Sequence, residues 1–180
     1  MKSRIVKLVC GLLLFALLGQ LVACKEEGDS ILPSVTISPH ELKENYARAS
    51  LLSIFTMTRE RAQNSPSSED REVWMEECQE LYGPLFTEEG LGEAASGGAL
   101  PLAYLPGAGC GIEALRVVSL KLQSETTRSE TYAFVVEILV DRDGTEDISK
   151  QVSGSVRVVE IDGECKVSHL TSDIGKCFKE

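Results

Sequence analysis

The run from Thr131 to Val140 is strand-like, with Tyr132, Phe134, Val136, Ile138 and Val140 all falling on one face. A run of this kind is a half-buried strand. Such a strand needs paired neighbours and a cover over its apolar face. The neighbours stand close by. Ile112 to Gln123 is a strand-like run before it, and Lys150 to Ile161 follows with Val152, Val156 and Val158 pointing inward. Glu164 to Leu170 is a fourth run. The connections are rich in turn residues: Ser124 to Ser129, then Asp141-Arg142-Asp143-Gly144, then Asp162-Gly163. Asp-Gly between two strands is a strong hairpin signal. The last third of the chain is therefore predicted to be a four-stranded antiparallel meander.

The cover has to come from the residues before it. Ser38 suits a helix N-cap, Pro39 the first helical position, and Glu41 completes Ser-x-x-Glu. The predicted helix runs from Pro39 to about Ala62, with Leu42, Tyr46, Ala49, Leu52 and Phe55 forming a stripe that Leu51, Ile54 and Met57 widen. Asn64 to Ser68 breaks it. A second helix starts near Glu69, with Trp74, Cys78, Leu81 and Leu85 inward, and Gly83-Pro84 ends it. Thr87 to Gly111 carries seven glycines and two prolines and is predicted to be a long irregular loop. Its apolar island, Leu100 to Leu105, folds back on the domain. In a mobile flap, Leu102 and Tyr104 would contact whatever the protein binds. The expected fold class is α+β, with two N-terminal helices packed on a curled four-stranded antiparallel sheet.

The first residues are not part of that fold. A basic start (Lys2, Arg4, Lys7) leads into an apolar run from Leu8 to Leu18 and then Leu21-Val22-Ala23-Cys24. Basic end, apolar middle and a small residue before the cut follow the logic of a secretory signal. The run is too short, and too soon followed by Lys25-Glu26-Glu27, to span a bilayer comfortably. The tetrapeptide resembles the lipobox of bacterial lipoproteins. That resemblance implies cleavage after Ala23, acyl chains on Cys24, and a cell membrane or outer membrane location facing the periplasm or exterior. The chain then divides into a signal peptide at 1–23, a tether at 24–37, and one domain at 38–180.

Removing residues 1–23 leaves 157, enough for one domain with an adequate core. It also leaves 15 basic against 28 acidic side chains. A surface that acidic repels nucleic acid, so no nucleic-acid partner is expected. Cys10 leaves with the signal and Cys24 takes the lipid. Cys78, Cys110, Cys165 and Cys177 remain, an even number in an exported chain, and two disulfides are the economical expectation. Four cysteines permit three connectivities. We expect Cys78–Cys110 and Cys165–Cys177, each closing a short span. A zinc site has little support: no C-x-x-C spacing occurs, and the histidines number two.

Helices followed by a meander that ends in strand, Asp-Gly turn, strand resemble the NTF2-like (cystatin-like) superfamily, and more narrowly its small bacterial lipoproteins. The matching segments are Ser38-Pro39-His40-Glu41-Leu42 with Tyr46-Ala47-Arg48-Ala49, and Val156 to Val167, where Cys165 stands at the usual tryptophan position. The resemblance implies a cone with a concave, ligand-accepting end. Relatives of the ketosteroid-isomerase type place an acid and tyrosine donors there. Tyr46, Tyr104 and Tyr132 are the candidate donors here, with Leu102 beside them. Glu137, by its parity, faces away from the apolar side and does not supply the acid.

Other motifs fall short of chemistry. His40, in a first helical turn, and His169, near a strand end, have no partners in sequence that form a triad or metal pair, and His40 is expected to be solvated. Aligning Gly144 with the EF-hand glycine puts Leu139 and Lys150 at ligand positions, so that pattern fails. Gly107 to Gly111 lacks the Lys-Ser/Thr of a phosphate loop. No catalytic residue, metal or cofactor is expected. The reading is a lipid-anchored cell-envelope protein whose domain binds another envelope protein or a small apolar ligand without catalysis. The alternatives are an enzyme or carrier using the cone, and a purely structural envelope component.

Overall fold

A computed structural model describes residues 37–66, 70–105, 109–142 and 146–178. The signal, Cys24, the tether up to Thr36 and the Asp143-Gly144 turn lie outside the described residues. The described elements are α1 (Pro39–Ile54), α2 (Arg59–Asn64), α3 (Arg71–Tyr82), α4 (Glu88–Ser96), β1 (Cys110–Glu125), β2 (Ser129–Arg142), β3 (Ile148–Ile161) and β4 (Glu164–Ser172). Short 3-10 turns lie at Pro101–Ala103 and Ile174–Phe178. The class is α+β, with four helices among the described residues and one curled, open antiparallel sheet.

The meander forms as expected, in the order β1-β2-β3-β4. Burial along β2 alternates strictly from Ser129 to Val140, because helices cover one face of the sheet. The β3–β4 turn uses Asp162 at φ 53° and Gly163 at φ 83°, the positive pair that a tight hairpin needs. Register shifts near Leu115, Val118 and Gln123 bulge β1. Together with the exposed Arg116 and Lys121, they blunt a free sheet edge against strand pairing. Both edges are also partly covered. Met57 and Ile112 exchange two 2.8 Å backbone hydrogen bonds beside β1. On β4, Val167 donates to Leu85 at 2.8 Å and accepts from Thr87 at 2.9 Å.

The helices depart from expectation in three places. The single helix predicted to Ala62 breaks after Ile54. Met57 gives its backbone bonds to β1, and Thr58 caps a new helix by accepting from Arg61 N at 3.2 Å. The buried face of α1 is Lys43, Ala47, Ser50, Leu51 and Ile54, not the stripe through Leu42, Ala49 and Leu52. Polar Lys43 and Ser50 hide that face from a hydrophobic pattern. The Gly-rich loop predicted at 87–111 is largely ordered structure. Thr87 caps α4 by accepting from Gly90 N at 3.1 Å. Gly90 lies where α4 meets the β4 bulge, and a Cβ there would come within 2.7 Å of the Ser168 backbone. Its glycine serves close packing, not flexibility.

The core lies between α1 and the concave face of the sheet. Leu51, Ile54 and Phe55 are 0% exposed and face Phe134, Val136, Val152 and Val156. Phe55 and Phe134 stand 5.8 Å apart, ring to ring. Each large side chain buried there contributes about 1.5–3 kcal/mol. The Ser38–Glu41 capping box, present as predicted, adds about 1 kcal/mol to the helix start.

Candidate functional site

The densest polar constellation lies where α1 begins over the paired ends of β2 and β3. Glu130 shares parity with Tyr132 and Phe134 on β2 and so points to the covered face. The helix start brings His40 and Lys43, one turn apart, onto it. His40 Nδ1 lies 2.7 Å from Glu130 Oε2, and Tyr132 donates its hydroxyl to the same oxygen. Lys43 Nζ stands 3.7 Å from Glu130 Oε1 and 3.7 Å from Glu160 Oε2 on β3. The His40 and Tyr132 rings stack at 6.5 Å. Glu130 and Lys43 are 5% and 3% exposed, whereas the His40 side chain remains about half exposed at 47%.

The electrostatics follow from these partners. The hydrogen bond to Glu130 and its charge raise His40 above its usual 6.5. Burial acts to raise Glu130. Hydrogen bonds from Tyr132 and His40, with the charges of His40 and Lys43, outweigh it and hold the carboxylate below its usual 4.5. Burial, then the carboxylate at its hydroxyl, pushes the Tyr132 phenol up. An acid facing Tyr132 is thus present, and it is Glu130. Its lowered basicity, enclosure and committed oxygens suit a structural tie rather than proton abstraction from a substrate. His40 belongs to this tie, which corrects the expectation that it is merely solvated.

The other candidate residues do not gather here. Tyr46 is half-buried and donates to the Leu85 carbonyl at 3.0 Å. Tyr104 donates to the Gly98 carbonyl at 3.0 Å and stacks on Phe178 at 6.0 Å. Leu102 is 0% exposed in the core, flanked by the equally enclosed Leu100 and Leu105. The apolar island is therefore packed structure, and the flap expected around it is absent among the described residues. His169 pairs with Glu93 on α4 at 2.9 Å. At the far end of the sheet, a cleft of about 470 Å³ is lined by Met57, Arg59, Ile112, Leu139, Asp141 and neighbours, with Arg59 paired to Asp141 across it.

Cys78, Cys110, Cys165 and Cys177 are free, buried thiols, not the two expected disulfides. Register overturns the Cys165–Cys177 pairing outright. Cys165 stands opposite Glu160, while Cys177 Sγ lies 3.8 Å from the Gln151 carbonyl. Those two places on β3 are nine residues apart, about 30 Å along a strand, and a disulfide needs Cα atoms within about 7 Å. Burial pushes the Cys78 thiol up to about 12, with the Glu77 charge adding to it. Among the described residues, no three His, Cys, Asp or Glu side chains group to hold a metal ion, and no helix is long and apolar enough to cross a membrane.

Glu130 and Lys43 escaped sequence reasoning. The available signal for Glu130 was its parity with Tyr132. For Lys43 it was the one-turn spacing from His40.

No family model matches the chain, and no curated protein matches it in sequence. Among solved structures it is similar to an IcmL-like type IV secretion system protein from Legionella pneumophila. The identity is 12% and the TM-score 0.52, over 75% of this chain and 91% of that one. The periplasmic domain of DotI follows at 15% identity and TM-score 0.48, over 77% and 97%. A periplasmic fragment of TraM follows at 12% and 0.45, over 72% and 93%. The likeness to the IcmL-like protein is one of fold: helices laid over one face of a curled antiparallel sheet.

Proposed function

We propose that this protein is a lipid-anchored component of the cell envelope whose NTF2-like α+β domain binds another envelope protein and carries out no catalysis. The observation that carries this reading is the filled concave face. Leu51, Ile54, Phe55 and Phe134 occupy the space in which a cone-type enzyme or carrier would hold its ligand. The polar end of that face is closed by the His40–Glu130–Tyr132 tie. The remaining way for such a domain to act is through its surface. The lipobox-like Leu-Val-Ala-Cys supports attachment through Cys24 on the outer side of a membrane. The shared fold of an IcmL-like type IV secretion system protein supports an assembly role of the same general kind.

The test is membrane fractionation of the tagged full-length chain and its Cys24→Ser variant, followed by cross-linking and purification from solubilised membranes. The wild type should be acylated, membrane-bound and cross-linked to a defined envelope protein. Cys24→Ser should leave the membrane fraction. A serine variant that stays membrane-bound would sink the anchor. A monomer that releases a stoichiometric small molecule on unfolding would sink the binding-module reading in favour of a carrier.

A further inference from the structure

The His40–Glu130 contact has a property that the rest of the core lacks. One partner is a histidine reached by solvent, while the other is a carboxylate sealed inside the fold. Glu130 takes its hydrogen bonds from β2 itself, through Tyr132, and from the first turn of α1, through His40. Tyr132, on the same strand, keeps its proton through neutrality, because burial and the carboxylate push its phenol up. His40 is therefore the adjustable member. It sits at the second position of α1, inside the Ser38–Glu41 capping box.

We propose that His40 is a proton-operated latch that holds the first turn of α1 down on the sheet when protonated and loosens it when neutral. The groups around it favour the charged form from each packed element. On α1 this is Glu44, at 3.9 Å from Nε2 and itself bonded to Arg48, while Lys43 and the helix N-terminus oppose it. From β2 come Glu130 and the Tyr132 ring, and from β1 comes the charge of Glu125. Glu160 of β3 is engaged by Lys43, so part of Lys43's charge is spent away from His40. With His40 protonated, the buried Glu130 faces two cations. With His40 neutral, Lys43 alone offsets the Glu130 charge, and the hydrogen bond keeps only the acceptor's charge.

The sign follows from linkage. A histidine raised in the fold contributes stability fully below its ordinary value of 6.5, and that contribution is lost as pH rises through the raised value. The loss is local, because α1 beyond Ala47 is held by buried Leu51, Ile54 and Phe55. The consequence is a domain whose helix start, the part next to the tether, is firmest in mildly acidic surroundings and freer above neutrality.

Hydrogen exchange on the full-length chain tests this, with wild type, His40→Gln and His169→Gln compared between about pH 5 and 8 and corrected for intrinsic exchange. Peptides covering Pro39–Ala47 should exchange roughly two- to five-fold faster at the high end in wild type and His169→Gln. In His40→Gln that dependence should vanish while peptides of β2 and β3 stay unchanged. An equal pH dependence in His40→Gln, or a flat profile in wild type, overturns the latch. Should His40→Gln fail to fold, the proton NMR titration of His40 in His169→Gln decides, since it is then the chain's remaining histidine. A midpoint above 6.5 supports the latch, and a midpoint at or below 6.5 overturns it.

Discussion

The backbone of Gly154 in β3 lies so close to Thr171 in β4 that a Cβ on the glycine would fall on the Thr171 carbonyl oxygen. The same Cβ would stand 2.8 Å from the Phe134 ring. Its φ is not in the left-handed region, so the demand is for space alone. Here β3 and β4 close over the core aromatic, and the missing side chain is what allows it.

Gly154→Ala should therefore destabilise the domain by about 2–3 kcal/mol, the upper range for overpacking, because backbone and an enclosed ring are the groups that must move. Urea unfolding read by circular dichroism measures it. An unchanged midpoint would show that β4 can withdraw freely from Thr171.

Leu102→Ala should behave as a core truncation and cost about 2–5 kcal/mol, with the denaturant slope unchanged. The side chain is 0% exposed. A midpoint within error of wild type would restore Leu102 to a surface role.

Glu130→Gln removes the anion that Lys43 and His40 share. Breaking a buried pair by deleting one member costs about 3–5 kcal/mol. Here Glu160 still engages Lys43, so about 2–4 is expected. Because Glu130 titrates below its usual 4.5 in the fold, its contribution is present above that value and lost as pH falls through the lowered one. Melting temperatures of wild type and Glu130→Gln should thus converge as the solution is made acidic, and diverge at mildly acidic to neutral pH. A gap that widens on acidification would contradict the assignment.

Non-reducing peptide mapping should yield no Cys165–Cys177 peptide, since their sites are separated along β3. In the folded protein, Cys78 should resist alkylation at mildly alkaline pH, its thiol being buried and pushed up to about 12, and should react on unfolding. Rapid native labelling of Cys78 would show that α3 opens readily.

What the sequence determined by itself was the meander and the start of its cover. The apolar face from Tyr132 to Val140, the Asp162-Gly163 turn and the Ser38–Glu41 box are local signals, and each appears where the residues placed it. Tertiary contacts decided the rest. The helix after Ile54 ends because Met57 finds a better backbone partner in Ile112. The glycines of α4 signal a loop to any local reading, yet Gly90 is small because Ser168 is near. Cys165 and Cys177 pair by arithmetic but stand at separate places along β3. The polar site was illegible for the same reason. His40 and Lys43 lie about 90 residues from Glu130 in the chain, and the curl of the sheet under α1 is what brings charge to charge.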